Sequence, residues 1–227
     1  MPQLRNAAYA HGGDRVRRHR RLQRRFVALG LGVFFAVAWT GRAPGEANAE
    51  SAAAADELMR LRAELHASRG ELGLASAQLD RWSRIFAYSS RYNLRVDLAT
   101  AVYDIALAEG IDPELGFRLV RAESEFNPRA KSVVGAIGLT QVMPSTARSF
   151  EKGITPESLY DENTNLRIGF RYLRTLLREQ NGNVKLALLG YNRGPAAVAA
   201  SRRLGIDPSN GYDRAIMRGY TGRGVAD

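Results

Sequence analysis

Hydrophobic residues between positions 58 and 86 return every seven residues. The first position of five successive heptads is held by Leu58, Leu65, Leu72, Leu79 and Phe86. In this register the first g positions carry glutamates and the first e positions carry arginines, an arrangement that pairs charges across a parallel dimer. The pattern therefore predicts a helical segment over residues 50–93 and allows a homo-oligomer through residues 57–89.

The second half of this helix has an alternative interpretation, in which it lies along its own domain. Trp82, Ile85 and Phe86 are bulky enough to bury a helix in this way. The coiled-coil seam is also imperfect, because Ser68 and Ser89 occupy d positions. We therefore expect self-association through the first half of the helix and docking on the domain through the second.

The chain after residue 93 shows no sustained β alternation, and helix signals recur. A helix that begins at Pro113 and advances by about 100° per residue collects its apolar residues on one arc. That arc holds Leu115, Leu119, Val120, Ala122 and, in its middle, Glu123. Glu125 falls on the opposite, charged arc. Two glutamates separated by two positions are therefore expected to differ in exposure.

The apolar setting of Glu123 indicates a chemical role for its carboxyl group. A buried carboxylate is costly to ionise, so burial should raise its pKa toward neutrality. Asn127 and Pro128 are predicted to stop the helix one turn later, and the dipole at a helix C-terminus opposes ionisation further. Such a group can protonate a glycosidic oxygen. The alternative is a buried glutamate held by a structural partner.

The residue composition limits the kinds of catalytic and metal-binding sites that the chain can form. The 227 residues include no cysteine, which excludes disulfides, thiol nucleophiles and zinc–cysteine sites. The three histidines lie at His11, His19 and His66, in the leader and the heptad segment, so neither a Ser-His-Asp site nor a histidine metal site is expected. Carboxylates remain as the acid and base groups. We expect no cofactor and no metal.

Three ordered motifs resemble a known family. They lie at residues 123–128, which include Glu123, at residues 135–144 and at residues 191–195. Together they resemble the soluble lytic transglycosylase-like domain, a lysozyme-related family that cleaves the glycan strands of bacterial peptidoglycan. The resemblance covers about residues 94–220 and implies a mainly α, lysozyme-like catalytic domain.

The resemblance also implies roles for particular residues. Glu123 would be the sole catalytic acid and base. Ser132, Gln141 and Met143 would line the substrate cleft, with Tyr191 and Asn192 close to the carboxylate. Aromatic rings and amides suit this place, because pyranose faces stack on rings and N-acetyl groups need hydrogen-bonding partners.

The expected activity is a lyase reaction between N-acetylmuramic acid and N-acetylglucosamine. A retaining or inverting hydrolase needs a second carboxylate, and no other acidic residue of the domain lies in a matching motif. The substrate's own 2-acetamido and C6 hydroxyl groups would then supply the nucleophiles, leaving 1,6-anhydromuramyl ends. One alternative is a hydrolase resembling goose-type lysozyme. The other is a glycan-binding scaffold protein without activity.

The first 49 residues have the pattern of an export leader. A basic run ends at Arg25, an apolar stretch covers residues 26–39, and Ala47-Asn48-Ala49 follows. Cleavage after Ala49 and retention as an inner-membrane anchor both remain open, and both place the rest of the chain in the periplasm or cell envelope. Residues 221–227 form a short tail.

The leader also explains most of the basic charge. The net charge of the chain is +10, and the nine arginines and two acids of residues 1–49 account for +7 of it. The remaining +3 gives little support to a nucleic-acid partner. Peptidoglycan glycan strands are the expected partner.

Overall fold

The computed structural model describes residues 44–226. The leader predicted from the sequence therefore lies, up to residue 43, outside the described residues. In chain order the helices are α1 (Pro44–Tyr92), α2 (Val96–Ala108), α3 (Pro113–Ser124), α4 (Pro144–Phe150), a 3-10 turn (Glu157–Tyr160), α5 (Glu162–Glu179), α6 (Val184–Arg193), α7 (Pro195–Arg203) and α8 (Tyr212–Met217).

The prediction of a mainly α fold is confirmed. Over residues 44–226 the only β pairing consists of isolated bridges, such as the one between Ile137 and Val142. Within the same residues, none of the helices is both long enough and apolar enough to cross a membrane.

The chain divides into two compact units between Leu74 and Ala75. The described part of the first unit is the beginning of α1, and its side chains from Ala49 to Leu74 are exposed. Leu65 and Leu72, at a positions of the heptads, are 49% and 68% exposed. In the described part of this unit the leucines are therefore largely exposed.

The second unit begins with the last turns of α1, which pack on the helical domain. Ile85 is completely buried, and the ring of Tyr88 stacks on that of Phe117 at a centroid distance of 4.2 Å. Trp82 and Phe86, which we expected to dock with Ile85, are instead 42% and 53% exposed. The expectation was wrong for these two residues because the docking face runs through 85, 88 and 92, which lie on a different side of the helix from the heptad seam.

Two clusters of apolar side chains form the core of the second unit. The larger joins α2, α3, α5 and α6, and Phe117 and Phe170 are its largest fully buried members. Gly116 lets α3 approach closely here, because a β-carbon at this position would lie 3.1 Å from the Phe170 ring. The smaller cluster, with Ile137, Leu159 and Ile168, supports the loop between α3 and α4.

Candidate active site

Helix α3 presents Glu123 in its last turn. Asp112 caps the start of the helix by accepting a hydrogen bond from the Glu114 amide at 2.9 Å, and Pro113 follows as the first helical residue. The helix ends at Ser124, because Glu125 adopts a left-handed conformation with φ of 50°. The sequence analysis had placed this end one turn after Glu123. The carboxyl group is therefore nearer to the end of the helix than predicted.

The apolar arc of α3 agrees with its predicted phase except at one position. Leu115, Leu119 and Val120 are buried, and Glu123 is partly buried beside them. Ala122 was expected on the same arc but is exposed. It lies at the border of the arc, about 100° from Glu123, and the domain packs on the other side of the helix.

Over residues 44–226 the Glu123 carboxyl group has one hydrogen-bond donor, the Tyr212 hydroxyl, which donates to its Oε1 atom. Burial raises the pKa of Glu123 from 4.5 to about 7, although the hydrogen bond from Tyr212 lowers it. Burial likewise raises the pKa of Tyr212 well above its ordinary value, and the charge of Glu123 adds to this rise. The carboxyl group can therefore hold a proton near neutral pH and release it again.

Tyr212 was missed by the sequence analysis, although it contacts the proposed acid directly. It is the first residue of α8 and lies 89 positions after Glu123. The end of α6 holds the loop in front of it, since Asn210 donates to the Asn192 side chain at 2.8 Å and Arg193 donates to the Pro208 carbonyl. A single tyrosine after a glycine turn is a weak sequence signal, because tyrosines are also common in cores.

Tyr191 connects α6 to the loop between α3 and α4. Its hydroxyl donates to the Thr140 carbonyl at 2.8 Å, and its ring lies 5.0 Å from that of Tyr172. Burial raises the pKa of Tyr191 well above its ordinary value, and the charge of Glu123 raises it further. Tyr191 is therefore within electrostatic reach of the carboxyl group.

Four of the predicted site residues surround one cavity of about 260 Å³. They are Gln141, Met143, Tyr191 and Asn192. Tyr172 and Thr146 also line it and were not predicted from the sequence.

Ser132 and Glu123 are not among the residues that line this cavity. The Ser132 hydroxyl instead accepts a hydrogen bond from the Ala136 amide at 2.9 Å and so closes a tight turn. In this structure the contacts of Ser132 organise the loop between α3 and α4.

Gln141 shapes the same loop from its other end. Its backbone is left-handed, with φ of 47°, and its side-chain amide donates to the carbonyls of Ala130 and Gly138 at 3.2 and 2.9 Å. On the other side, Ser124 at the end of α3 donates to the Leu139 carbonyl at 2.7 Å. These bonds fix the loop against the helix that carries Glu123.

A buried asparagine that the sequence analysis did not single out anchors this loop. The Asn165 side chain donates to the carbonyls of Ile137 and Leu159, each at 2.8 Å, and accepts from the Thr140 amide at 2.8 Å. Gly138 is needed beside it, because a β-carbon there would lie 2.3 Å from the Asn165 amide nitrogen. The loop position therefore depends on a fully hydrogen-bonded buried amide.

No metal site accompanies this carboxyl group in the part of the chain that the structure describes. Among these residues no group of three or more His, Cys, Asp or Glu side chains could hold a metal ion. The arrangement can move a proton at one carboxyl group, and Tyr191, which is within electrostatic reach of that group, lines the cavity.

Comparison with known proteins finds a family model that matches part of the chain. Residues 100–206 match the family model of the Transglycosylase SLT domain. The resemblance inferred from the three motifs is confirmed.

Named relatives share the same region. The chain is 39% identical over 119 residues to a transglycosylase of Enterobacteria phage PRD1, covering 52% of this chain and 37% of the phage protein. It is 38% identical over 86 residues to the soluble lytic murein transglycosylase of Escherichia coli (strain K12), covering 35% of this chain and 13% of that enzyme. The chain thus spans well under two thirds of either relative.

A solved structure also resembles the chain. The crystal structure of the 70 kDa soluble lytic transglycosylase from Escherichia coli superposes with a TM-score of 0.47 and 28% identity. The match covers 57% of this chain and 24% of that one.

Proposed function

We propose that the protein is a peptidoglycan lytic transglycosylase in which Glu123 is the single acid and base. The observation that carries this proposal is the partly buried Glu123 carboxyl group, whose pKa burial raises to about 7 and whose Oε1 accepts the Tyr212 hydroxyl hydrogen bond. The names of the relatives, which include soluble lytic murein transglycosylase, support the same reaction.

The proposed reaction begins with proton transfer from Glu123 to the glycosidic oxygen. The bond from that oxygen to C1 of N-acetylmuramic acid breaks, and N-acetylglucosamine leaves with a new hydroxyl group. The carbonyl oxygen of the 2-acetamido group stabilises the positive charge that develops at C1. Tyr212 donates to the carboxylate that forms on Glu123 and holds it in place.

The second half of the reaction returns the proton. The Glu123 carboxylate takes the proton of the C6 hydroxyl group as that oxygen bonds to C1, which closes the 1,6-anhydro ring. No water is consumed, and the carboxyl group ends protonated as it began. One acid therefore suffices, whereas a hydrolase that inverts configuration needs a second carboxylate about 6.5–9.5 Å away.

The cavity beside Tyr191 is the proposed sugar-binding site. The Tyr191 and Tyr172 rings offer apolar faces, and the Asn192 side-chain NH2 group and the Gln141 side-chain oxygen offer hydrogen bonds to N-acetyl groups. Met143 adds a flexible apolar contact. Ser132 supports this site through its turn.

The end groups of the product test the reaction. Purified peptidoglycan sacculi are digested with the full chain, and the sugar ends are identified by mass spectrometry. We expect 1,6-anhydromuramyl ends without new reducing ends, and no release by the Glu123→Gln variant. Predominantly reducing ends would show lysozyme-type hydrolysis, and binding without any cleavage by the unmodified protein would show a scaffold.

We also propose that α1 joins two copies of the chain through its heptad seam. Leu58 and Leu65, at a positions of the seam, are each 49% exposed, and the glutamates at g positions face arginines at e positions in a parallel pair. Trp82 and Phe86 extend the same register and are exposed as well. A second copy would cover this apolar stripe and match its charges.

Sedimentation of the full chain tests self-association. We expect a dimer or higher oligomer, and a monomer when Leu65 and Leu72 are both changed to Ser. Leu204, an exposed leucine outside the heptads, provides the control, since Leu204→Ser should keep the oligomer. A monomeric unmodified chain would refute the proposal.

Export to the cell envelope is the third part of the proposal. It rests on the basic and apolar pattern of residues 1–49 and fits relatives such as the membrane-bound lytic murein transglycosylase C of Haemophilus influenzae (strain PittEE), which is 36% identical over 103 residues. Fractionation of cells and amino-terminal sequencing test it. A chain that begins at Glu50 shows cleavage, and an intact chain in the inner membrane shows an anchor. An intact chain in the cytoplasm would contradict export.

A further inference from the structure

The opposite face of α3 borders a second and larger cavity, of about 600 Å³. We call it the arginine cavity and define it by Arg91, Tyr92, Arg118, Arg121, Glu125 and Arg218. A neighbouring cavity of about 370 Å³ shares Arg91, Tyr92 and Arg121 with it. Positions 118, 121 and 125 lie on the side of the helix away from position 123, so this concavity is separate from the Glu123 site.

Two arginines of the arginine cavity form ion pairs within the protein. The Arg118 guanidinium pairs with Glu114 at 2.7 Å and donates to the carbonyls of Ile216 and Arg218 at 2.9 and 2.7 Å. Arg91 reaches the same Glu114 carboxylate at 3.6 Å. One carboxylate therefore serves two arginines, and Arg118 holds the wall of the cavity in place.

The other two arginines are free to take a ligand. The Arg121 guanidinium lies over the Tyr92 ring at 5.7 Å, and among the described residues neither Arg121 nor Arg218 forms an ion pair. Four guanidinium groups thus share a concavity with the Glu114 and Glu125 carboxylates, which leaves an excess of two positive charges. Such an excess attracts anions, and planar guanidinium groups match the two oxygens of a carboxylate.

We propose that the arginine cavity binds a carboxylate-bearing stem peptide of peptidoglycan. This proposal rests on the proposed function, because the polymer that reaches the cleft carries peptide carboxylates on its muramyl residues. Two guanidinium groups without carboxylate partners suit a peptide carboxylate, and the Tyr92 ring and Ala122 offer apolar contact to its short side chains.

The position of the cavity has a consequence for how the polymer is held. A stem bound on the arginine face belongs to a different stretch of glycan, or a different strand, from the bond beside Glu123. The contact therefore raises affinity for the crosslinked polymer without changing the chemistry at the cleft. It should weaken as salt is added, because it depends on exposed charges.

The test measures binding of the full chain to intact sacculi. All proteins in this test carry Glu123→Gln, so that the polymer is not digested, and this single variant is the background. The cavity variant carries Arg121→Gln and Arg218→Gln in addition. Arg178→Gln with Arg203→Gln, at exposed positions on α5 and α7, is the charge-matched control. We expect binding about tenfold weaker for the cavity variant and unchanged for the control. Equal binding by the two variants would overturn the proposal.

A second arm identifies the anion. Sacculi from which an amidase has removed the stem peptides should bind the cavity variant and its background equally well. A synthetic stem tetrapeptide should displace the background protein from intact sacculi, and inorganic phosphate at the same concentration should not. The peptide site would be refuted if the cavity variant still bound more weakly than its background to glycan without stem peptides. It would also be refuted if phosphate displaced the background protein as well as the tetrapeptide does. Turnover of stripped glycan by the unmodified protein tests the proposed function separately.

Discussion

The two faces of α3 carry glutamates two residues apart in different surroundings. Glu123 is partly buried, accepts the Tyr212 hydrogen bond and has a pKa that burial raises to about 7. Glu125 is exposed at the end of the helix, where it lines the arginine cavity. The residue type is the same, so the difference comes from what each face packs against. Surroundings, and not composition, make one of them a candidate acid.

The comparison extends to the neighbours of each glutamate. Glu123 has the neutral hydroxyl group of Tyr212 as its hydrogen-bond partner, which supports both protonation states. Glu125 shares its cavity with the four arginines Arg91, Arg118, Arg121 and Arg218. One face is therefore suited to moving a proton, and the other to holding an anion.

The largest expected effect comes from the buried face. Glu123→Gln keeps the size of the side chain but removes the transferable proton, so lytic activity should fall by about 10²–10⁴-fold. Release of soluble fragments from sacculi measures the loss. Glu157→Gln, an exposed carboxylate on the 3-10 turn, should keep full activity. Similar activity in the two variants would rule out Glu123 as the acid.

Removing the hydroxyl group of Tyr212, the hydrogen-bond partner of Glu123, should have a smaller effect on lytic activity. Tyr212→Phe deletes the hydroxyl that donates to Glu123, and hydrogen bonds to charged groups contribute about 1.5–3 kcal/mol. Activity should fall about tenfold, and the pH at which it is half lost should rise, because the bond lowers the pKa of Glu123. Tyr160→Phe is the control, since it leaves the Glu123 hydrogen bond in place. An unchanged pH profile would argue against the proposed role of Tyr212.

Stability should depend on pH through Glu123 as well. Its pKa is raised on folding from 4.5 to about 7, so the folded state binds more protons and the unmodified protein loses stability as pH rises through that window. Glu123→Gln lacks this loss. Its melting temperature should therefore match the unmodified protein at pH 4, exceed it by an increasing margin up to about pH 7, and keep that margin at pH 8. A margin that is the same at every pH would mean that burial does not set the pKa.

The smallest effect is expected on the arginine face. Glu125→Gln removes one of the two carboxylates near the cavity, so the variant should bind sacculi about twofold more tightly in the Glu123→Gln background. Binding isotherms at low salt measure the change, and high salt should abolish it. Weaker binding would show that Glu125 itself contacts the polymer.

The sequence predicted what depends on local periodicity. The mainly helical fold and the burial of Leu115, Leu119 and Val120 follow from helical phase, and the structure agrees with both. The three motifs pointed to the family whose model matches residues 100–206, because their order and spacing are specific. Glu123 as the acid and the cleft residues stay predictions, which the experiments above address.

What the sequence could not predict depends on distant contacts. Tyr212 meets Glu123 across 89 positions and Asn165 meets Thr140 across 25, and neither residue belongs to a periodic pattern. The docking of α1 was assigned to Trp82, Ile85 and Phe86 because these side chains are bulky, and of the three only Ile85 is buried. The heptad pattern indicates which residues lie on the same side of a helix. Which side is buried depends on the other helices of the domain, and here they cover Ile85.

The docking of α1 has a consequence for the limits of the folding unit. Tyr88 and Tyr92 stack on Phe117 of α3 at 4.2 and 5.7 Å, so the last turns of the long helix complete the core beneath the helix that bears Glu123. A fragment trimmed to residue 94 would expose this aromatic surface to water. The last turns of α1 are thus part of the folded domain and not a flexible linker. Any minimal folded fragment should begin before Arg81, whose side chain pairs with Asp104 on α2.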